Sequence, residues 1–460
     1  MLGGMSEAPT VTDAAGPAPA DAAREAPTVT DAAGPAPADA AVAVAGAAAR
    51  SAASALRDAT ADCLDGALIG MADRLAEQAA DIIAANADDV RAAKAAGMAD
   101  ALVDRLRLDA SRVEAMADQL RALAQIPAEA AKSRIRALPD GLELQEWRRP
   151  VGVIGANFEA RPGVVVDVAS QLIKSRNAGV LRTGSSAIKS AVALIERVVG
   201  PAMTAAGLPE SAIQLVRVPG RESAFALVRR PGLIPLVILR GSGDSTRELA
   251  REAALHGVRT LAHADGGAVI YVDRSADTAL ALQLIERSLD RLGVCNRLNL
   301  LLVQRAIWDE LVPQVTALAD RIGVAVSLPP HRHALGHEWA LDDGSEATIT
   351  LAPAEGAADA AEIANQETSG LAASIVAADS GAASRFLDAY SGTGAFWNST
   401  PRLLDGFKLL SLPETGINID VVPGPRGPVT FRDLYLRQYV VVPKAAGGLQ
   451  ADRGLQAGRG

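Results

Sequence analysis

The sequence predicts an α/β protein organised on a mostly parallel sheet. From residue 151 to 256, short apolar runs at 151–155, 177–181, 214–218 and 233–239 alternate with helical patterns at 164–174, 187–199 and 245–256, the rhythm of βαβ units. The alternation resumes at 268–273, 278–290, 298–303 and 307–319. A chain of 460 residues, 49% hydrophobic, also exceeds the length at which one core stops growing, so two or three domains are expected.

Composition narrows the class. Two cysteines, Cys63 and Cys295, lie far apart without framework spacing, which argues against a disulfide scaffold and fits a reducing compartment; the cytoplasm is the expected location. No run approaches about 18 uninterrupted apolar residues, and no basic segment followed by a leucine-rich one opens the chain, so neither a membrane span nor a signal peptide is predicted. A net charge of −9 is not that of a nucleic-acid binder. The expected partner is a small molecule.

Taken in order, the chain opens with a direct repeat, Glu7 to Ala23 recurring identically as Glu25 to Ala41. Ala, Pro and acids without large apolar side chains cannot offset ordering entropy, so 1–46 is expected to be a disordered tail. From about residue 47 to 126 apolar residues recur at three- and four-residue steps, predicting helices. Asn86-Ala-Asp-Asp89 reads as an N-cap with first-turn acids, Gly97 as a stop, and Ser111-Arg-Val-Glu114 as a capping box. Residues 142–149 alternate as an exposed strand.

In the βαβ region, ligands bind at the carboxyl ends of strands. Three loops there, Thr183-Gly184-Ser185, Pro219-Gly220-Arg221 and Gly241-Ser242-Gly243, carry the small residues and helix starts suited to phosphates, and equally suit ordinary turns. None fits Gly-x-Gly-x-x-Gly or the P-loop. In Gly293-Val-Cys295-Asn296, glycine breaks the helical pattern of 278–290 just before the strand at 298–303. A lone cysteine is most often a small buried hydrophobe. At such a junction, however, uncommitted backbone N–H groups can hold a thiolate and an oxyanion beside it, which makes Cys295 a candidate nucleophile. His331, His333 and His337 crowd one loop and in principle suit zinc or nickel. The run includes neither cysteine and no acid of set spacing, so no metal is assigned. Strands are expected at 324–326, 372–377, 394–398 and 431–442; the last has no obvious place in the preceding sheet and is suited to pairing with a neighbouring subunit.

An ordered set of stretches carries a resemblance. These include Ala84 to Lys94, Leu102-Val-Asp-Arg-Leu-Arg-Leu108, Pro150-Val-Gly-Val-Ile-Gly155, Glu159-Ala-Arg-Pro162, Val166-Asp-Val-Ala-Ser170, Ile270-Tyr-Val-Asp273, Gly293-Val-Cys-Asn296, Asp405-Gly-Phe407, Glu414-x-Gly-Ile417 and Arg426-Gly-Pro428. Together they resemble the γ-glutamyl phosphate reductase (glutamate-5-semialdehyde dehydrogenase) branch of the aldehyde dehydrogenase superfamily. Each is weak alone, and the order is what carries weight.

The resemblance implies a Rossmann-like cofactor domain over 47–132 and 149–270, a catalytic domain over 271–410 and an oligomerisation element from 133–148 and 429–445; the glycine-rich composition after Pro443 predicts a flexible tail over 446–460. It implies NADPH-dependent reduction of an acyl phosphate, with Cys295 attacking the carbonyl, phosphate leaving, and the thioester becoming an aldehyde. A homo-oligomer, dimer or tetramer, goes with it. Asn296 or the Cys295 backbone N–H would stabilise the oxyanion, and Asn157, where relatives carry an apolar residue, joins the catalytic candidates. Arg161, Glu159 and Asn398 are the substrate candidates. Arg182, Thr183, Gly184, Ser185, Gly220, Gly241 and Ser242 are the cofactor candidates, with Glu414 on the nicotinamide ribose; Arg182 and Ser185 favour a 2′-phosphate. Relatives usually carry Glu-Thr-Gly-x-Gly-Asn-Cys-His before Ile-Tyr-Val-Asp, whereas this chain has Ala262-His-Ala-Asp265-Gly-Gly-Ala-Val269. The missing glutamate argues against oxidation of aldehydes to free acids. The altered 262–269 and 365–369 stretches keep two alternatives open, a specialised paralogue acting on another acyl phosphate or thioester and a non-catalytic assembly partner.

Overall fold

A computed structural model describes residues 37–159, 161–218, 220–241, 243–263, 266–342, 344–421 and 424–444. Five helices come first: α1 Pro37–Asp58, α2 Ala61–Glu77, α3 Ala79–Ala95, α4 Asp100–Leu106 and α5 Ala110–Gln125. Their starts and stops follow local chemistry. Thr60 caps α2 by accepting from the Cys63 N–H, and Gly97 leaves α3 at φ +78°, as expected of a stop. The first ten residues of α1 correct the disordered-tail expectation for 37–46. Val42, Ala45, Ala49, Ala52 and Leu56 form one buried stripe, and Arg230 ties the start of the helix by donating to the Asp39 carbonyl (3.0 Å) and carboxylate (3.2 Å). Alanine is the best helix former, and its small side chain lets α1 lie close against a sheet; lack of bulk is not lack of packing. Residues 1–36 and 445–460 lie outside the described residues, and with them the rest of the repeat and the C-terminal stretch expected from sequence to be flexible.

Two caps differ from expectation. Asn86 and Asp89 sit inside α3, buried, where Asn86 bonds the Leu106 carbonyl, the Leu108 N–H and the Ser190 hydroxyl, and Asp89 accepts from Ser190. Polar residues that look like a cap here satisfy a neighbouring loop instead. Helix α5 is capped by Asp109, which accepts from both the Arg112 N–H and the Ser111 hydroxyl, so Ser111 is not the cap.

Strands β1 Lys132–Ala137 and β2 Leu142–Pro150 form an antiparallel ribbon. A parallel sheet follows: β3 Val153–Phe158, β4 Ala178–Thr183, β5 Ile213–Leu215, β6 Leu236–Arg240 and β7 Arg259–His263, in spatial order β5-β4-β3-β6-β7. Its crossovers are α6 Val164–Lys174, α7 Ile188–Leu194 continuing into α8 Gly200–Ala205, α9 Arg221–Val228 and α10 Gly243–Leu255. The order reverses between β3 and β6, the doubly wound arrangement whose carboxyl-end crevice takes ligands.

The second parallel sheet contains β8 Ala268–Val272, β9 Leu298–Gln304, β10 Ala325–Ser327, β11 Thr348–Ala354, β12 Ala372–Val376 and β13 Gly394–Trp397, ordered β10-β11-β9-β8-β12-β13. Alternation divides its faces. Ile270, Val272, Leu301 and Val303 pack under α11 Thr278–Ser288 and α12 Trp308–Arg321. Val269, Tyr271, Leu300 and Leu302 pack under α13 Ala357–Glu367 and α14 Ser380–Ala389. Since β8 begins at Ala268, the sheets divide at 263–268, slightly before the expected 270.

After α15 Gly406–Leu410, a small pair β14 Gly416–Asn418 and β15 Gly427–Val429 returns to the first sheet, and Leu412, Val429, Phe431 and Leu434 join its core. The expected strand at 431–442 divides into a 3-10 turn Phe431–Asp433, closed by a Thr430/Asp433 capping box, and β16 Tyr435–Pro443. Strand β16 pairs antiparallel with β2 from Tyr435↔Pro150 to Pro443↔Leu142, completing the sheet β1-β2-β16. Among the described residues no helix is long and apolar enough to cross a membrane.

Val42, fully buried on α1, tests the correction at the N-terminus. Val42→Ala is expected to cost about 1–3 kcal/mol, read as a lowered urea midpoint; an unmoved midpoint would mean that the start of α1 does not pack.

Candidate active site

Cys295 lies where the two parallel sheets meet. The chain leaves β7, passes Gly266 and Gly267, and enters β8; on the way the Gly267 N–H donates to the Cys295 carbonyl at 2.7 Å. A Cβ on Gly266 would lie 2.9 Å from Cys295 Cα and 2.6 Å from Glu338 Oε1, so only glycine lets these three segments close together. Gly293 at φ +73° does the same on the other side, where a Cβ would lie 2.7 Å from Arg105 Nε. Neither cysteine is in a disulfide, and Cys63 donates its S–H to the Ala206 carbonyl, away from this site.

Two cavities share Cys295, Arg105, Arg161 and Arg240 on their walls. The larger, about 680 Å³, opens onto the carboxyl ends of β3, β4 and β6. Its walls include Gly184, Ser185, Gly220, Arg221, Gly241 and Ser245, so the loops read from sequence as phosphate-binding converge here. Asn157 and Arg182 are buried at its base. Arg182 donates to the Ser223 hydroxyl (3.1 Å), the Asn157 Oδ1 (3.1 Å) and the Gly220 carbonyl. Three of its five N–H donors thus brace Asn157 and the loop after β5, whereas the reading from sequence set it opposite a 2′-phosphate. The bond to Oδ1 also orients Asn157, whose amide N–H₂ makes no hydrogen bond among the described residues.

Glu159, expected on the substrate, belongs to this larger cavity and accepts from the Ser245 hydroxyl at 3.2 Å. Thr183 is buried at the end of β4 and its hydroxyl has no partner among the described residues; it is not on the cavity wall. Ser242 lies outside the described residues. Glu414 is on the smaller cavity, accepting from the Gly406 N–H at 2.9 Å, rather than with the other cofactor candidates. The carboxylate that lines the larger cavity beside Cys295 is Glu338, which accepts from the Gly266 N–H at 3.1 Å.

The smaller cavity, about 470 Å³, is strongly charged. Arg105, Arg161 and Arg240 make no side-chain hydrogen bond or ion pair among the described residues, and Arg105 Nε and Arg240 Nε are enclosed. Burial, then the neighbouring Arg240 and Arg105, lowers Arg161 to about 10, while Cys295 pulls the other way. Burial lowers Arg105 too, against the attraction of Cys295 and Glu338. Cys295 therefore lies in the field of two guanidiniums, Arg105 and Arg161. Asp167, half-buried on α6, is raised to about 6 by burial, with Arg240 and Arg161 acting against the shift and Asp405 adding to it.

Two candidates are engaged by the protein itself, Asn296 on the wall of the smaller cavity and Asn398 away from both. The Asn296 side chain turns into the protein, donating to the Leu404 (3.0 Å) and Arg402 (3.4 Å) carbonyls and accepting from Arg402. With both amide hydrogens used, it positions the cysteine turn and has no side-chain donor left for an oxyanion. Asn398 is exposed at the end of β13, where its amide bonds the Ala377 N–H and carbonyl, both at 3.0 Å, extending the strand ladder; it lines neither cavity. In the stretch at 365–369, Asn365 binds the end of α14 through the Ala389 carbonyl, and Ser369 reaches the Gly266 carbonyl at 3.0 Å.

Among the described residues no group of three or more His, Cys, Asp and Glu is placed to hold a metal. The histidines of the 331–337 loop build a scaffold instead. Ser327 links His331 (3.2 Å) and His333 (2.7 Å), His337 binds Asp342 at 2.6 Å, and Trp339 packs edge-on against His333 and His337. Glu338 projects from this loop.

Sequence reasoning missed Arg105, Arg240, Asp167 and Glu338. Arg105 and Asp167 lay inside stretches already quoted for the resemblance, and Arg240 ends a strand at the sheet edge where ligands bind. Nothing local marked Glu338.

Residues 22–332 match the aldehyde dehydrogenase family. Among solved structures, a γ-glutamyl phosphate reductase from Thermotoga maritima is 27% identical, with coverage of 87% of this chain and 98% of that one and a TM-score of 0.78. An acetylating aldehyde dehydrogenase from Geobacillus thermoglucosidasius is 16% identical over 88% and 97% of the two chains, TM-score 0.67. A propionaldehyde dehydrogenase from Clostridium phytofermentans is 15% identical over 88% and 98%, TM-score 0.68. The last two likenesses are of fold.

The Asp167 shift predicts a stability effect. Its pKa rises from an ordinary 3.8 to about 6 on folding, so the folded state binds the proton more tightly and ionisation above pH 6 opposes folding. Asp167→Asn is expected to raise the melting temperature at pH 8. That advantage should shrink as pH falls through 6 and vanish near 3, where wild type carries a neutral carboxyl in both states; a melting temperature lowered equally at all pH values would contradict it.

Proposed function

The chain belongs to the aldehyde dehydrogenase family and is an oxidoreductase of an aldehyde or acyl phosphate; from that premise we propose that it reduces an acyl phosphate, γ-glutamyl phosphate, to the aldehyde with NADPH. The observation that carries the reading is the set of half-buried guanidiniums without direct partners, Arg105, Arg161 and Arg240, gathered around Cys295. Cations left unpaired inside a protein are costly unless a ligand meets them. A phosphate leaving from the carbon that Cys295 attacks would do so, with planar forks matching its oxygens.

In this reading the Cys295 thiolate adds to the acyl carbon and the oxygen charge develops toward the oriented Asn157 amide. The carbonyl re-forms as phosphate departs with its charge held by the arginines, leaving a thioester on sulfur. A nicotinamide bound in the larger cavity would supply the reducing equivalent for the second step. The fit to a dinucleotide rests on the loops at Gly184–Ser186, Gly220–Arg221 and Gly241, which bring small residues and helix starts to one crevice. Glu338, rather than Glu414, is the carboxylate suited there to ribose hydroxyls. Arg221, exposed at the rim and paired with Glu248, is the available cation for a 2′-phosphate in place of Arg182. When the aldehyde forms, Cys295 leaves as a thiolate, stabilised by the same arginines. The exposed Tyr439 and Val441, on one face of β16, support burial of that face in a homo-oligomer.

The packing of Gly266, from the replaced 262–269 stretch, against Cys295 favours a second reading, a paralogue that serves another acyl phosphate or a thioester. The two separate in the oxidative direction with glutamate 5-semialdehyde and NADP⁺. Cofactor reduction is expected only with inorganic phosphate, and Cys295→Ala is expected to lose at least about 10³-fold. Arg161→Ala should raise KM for phosphate roughly 10- to 100-fold, the equivalent of about 1.5–3 kcal/mol for a charge-assisted hydrogen bond. Equal rates without phosphate, or a requirement for a thiol acceptor instead, would sink the first reading.

A further inference from the structure

We propose that Asp167 is a specificity-determining residue that receives a primary ammonium on the substrate, so that the smaller cavity selects an acyl group whose far end is an α-amino acid. The inference rests on the acyl-phosphate reading and adds the residue that would recognise the rest of the molecule.

The cavity's charge pattern is the starting point. Around its Cys295 end the groups are cationic: Arg161 from the turn before α6, Arg240 from the end of β6, and Arg105 from α4. Three carboxylates line the same cavity, and two have structural work. Asp405 caps α15 by accepting from the Lys408 N–H at 3.1 Å, and Glu414 accepts from the Gly406 N–H. Asp167 has no side-chain hydrogen bond and no ion pair among the described residues, although it lies in the field of Arg161 and Arg240. A carboxylate with a purely structural role near two guanidiniums would close an ion pair with one of them. Here neither closes, so the cavity presents charges of both signs without a direct partner among the described residues.

A ligand with one sign of charge answers only half of that pattern. An acyl phosphate bearing an α-carboxylate and an α-ammonium answers both: its anionic groups meet guanidiniums and its ammonium meets Asp167. The consequence is discrimination. An analogue lacking the amine would leave the enclosed Asp167 carboxylate unpaired, and sites built around a polar group of the substrate reject analogues lacking it far more strongly than apolar pockets do.

The test compares two aldehydes of equal chain length in the oxidative assay with NADP⁺ and phosphate: glutamate 5-semialdehyde and 5-oxopentanoate, which lacks the amine. Wild type is expected to prefer the amino aldehyde by at least about tenfold in kcat/KM. Asp167→Asn should narrow the preference to less than about threefold, with the loss appearing in KM for the amino aldehyde rather than in kcat. A wild-type ratio near one overturns the proposal, as does an Asp167→Asn variant that weakens both aldehydes by the same factor. Turnover of neither aldehyde by wild type is distinguishable, since the acyl-phosphate reading then fails and takes this one with it. A second measurement needs no variant. Glutamate should protect Cys295 from iodoacetamide several-fold better than glutarate at equal concentration, and equal protection overturns the assignment.

Discussion

The close approach of Gly266 and Gly267 to Cys295 is the contact on which the rest of the site depends. The two parallel sheets are separate hydrophobic units, and their carboxyl-end loops come into one crevice only because the connection from β7 to β8 runs directly against the cysteine turn. The 2.7 Å bond from the Gly267 N–H to the Cys295 carbonyl fixes the turn on one side. Asn296, bonded to Arg402 and to the Leu404 carbonyl, fixes it on the other. Between these anchors the sulfur has little freedom, which is what converts a reactive group into an aimed one. Any side chain at residue 266 would meet Cys295 and Glu338 together and force the sheets apart.

That geometry sets the electrostatic problem. Guanidiniums from α4, from the turn before α6 and from the end of β6 line the same cavity as Cys295, so three distant parts of the chain must be folded before the charge cluster exists. Even with Arg161 lowered to about 10, the group remains almost wholly protonated near neutral pH, so the repulsion is not relieved by deprotonation. Ligand and thiolate charge must relieve it. The same reasoning explains why Asp167 is held unpaired at its cost to stability: functional sites carry strain that the surrounding core, here the large cluster under the first sheet, over-determines.

The fold was legible because alternation and helical spacing are local signals, and helix α6 emerged with the predicted bounds of Val164 and Lys174. The cysteine turn was legible for the same reason. What local reading lost was long-range. Asn86 and Asp89 look like a cap and are satisfied by Leu106 and Ser190, residues that only tertiary structure brings near. Arg182 looked like a ligand cation in its loop, but its partners Asn157, Ser223 and the Gly220 carbonyl come from other crossovers. Alanine content misled at α1, where composition measures bulk while burial depends on whether a flat neighbour is available. Glu338 was invisible because its place is set by a histidine scaffold at 331–337, far along the chain from the cysteine.

Glu338 also changes the argument about water. The stretch from Ala262 to Val269 contains no glutamate, which suggested from sequence a thioester with no base near it. A carboxylate nevertheless stands beside Cys295, delivered by a different segment. Its situation argues for a binding role: it accepts from the Gly266 N–H and shares the field of Arg105, and a carboxylate so engaged is better placed to accept hydroxyl hydrogens than to remove a proton from water. Its lining of the larger cavity, on the side of the three small-residue loops, agrees with that. Under the proposed acyl-phosphate reading, the fate of the thioester turns on which nucleophile reaches it first, and arginines that concentrate phosphate at the acyl carbon would bias the competition in its favour without any need to exclude water completely.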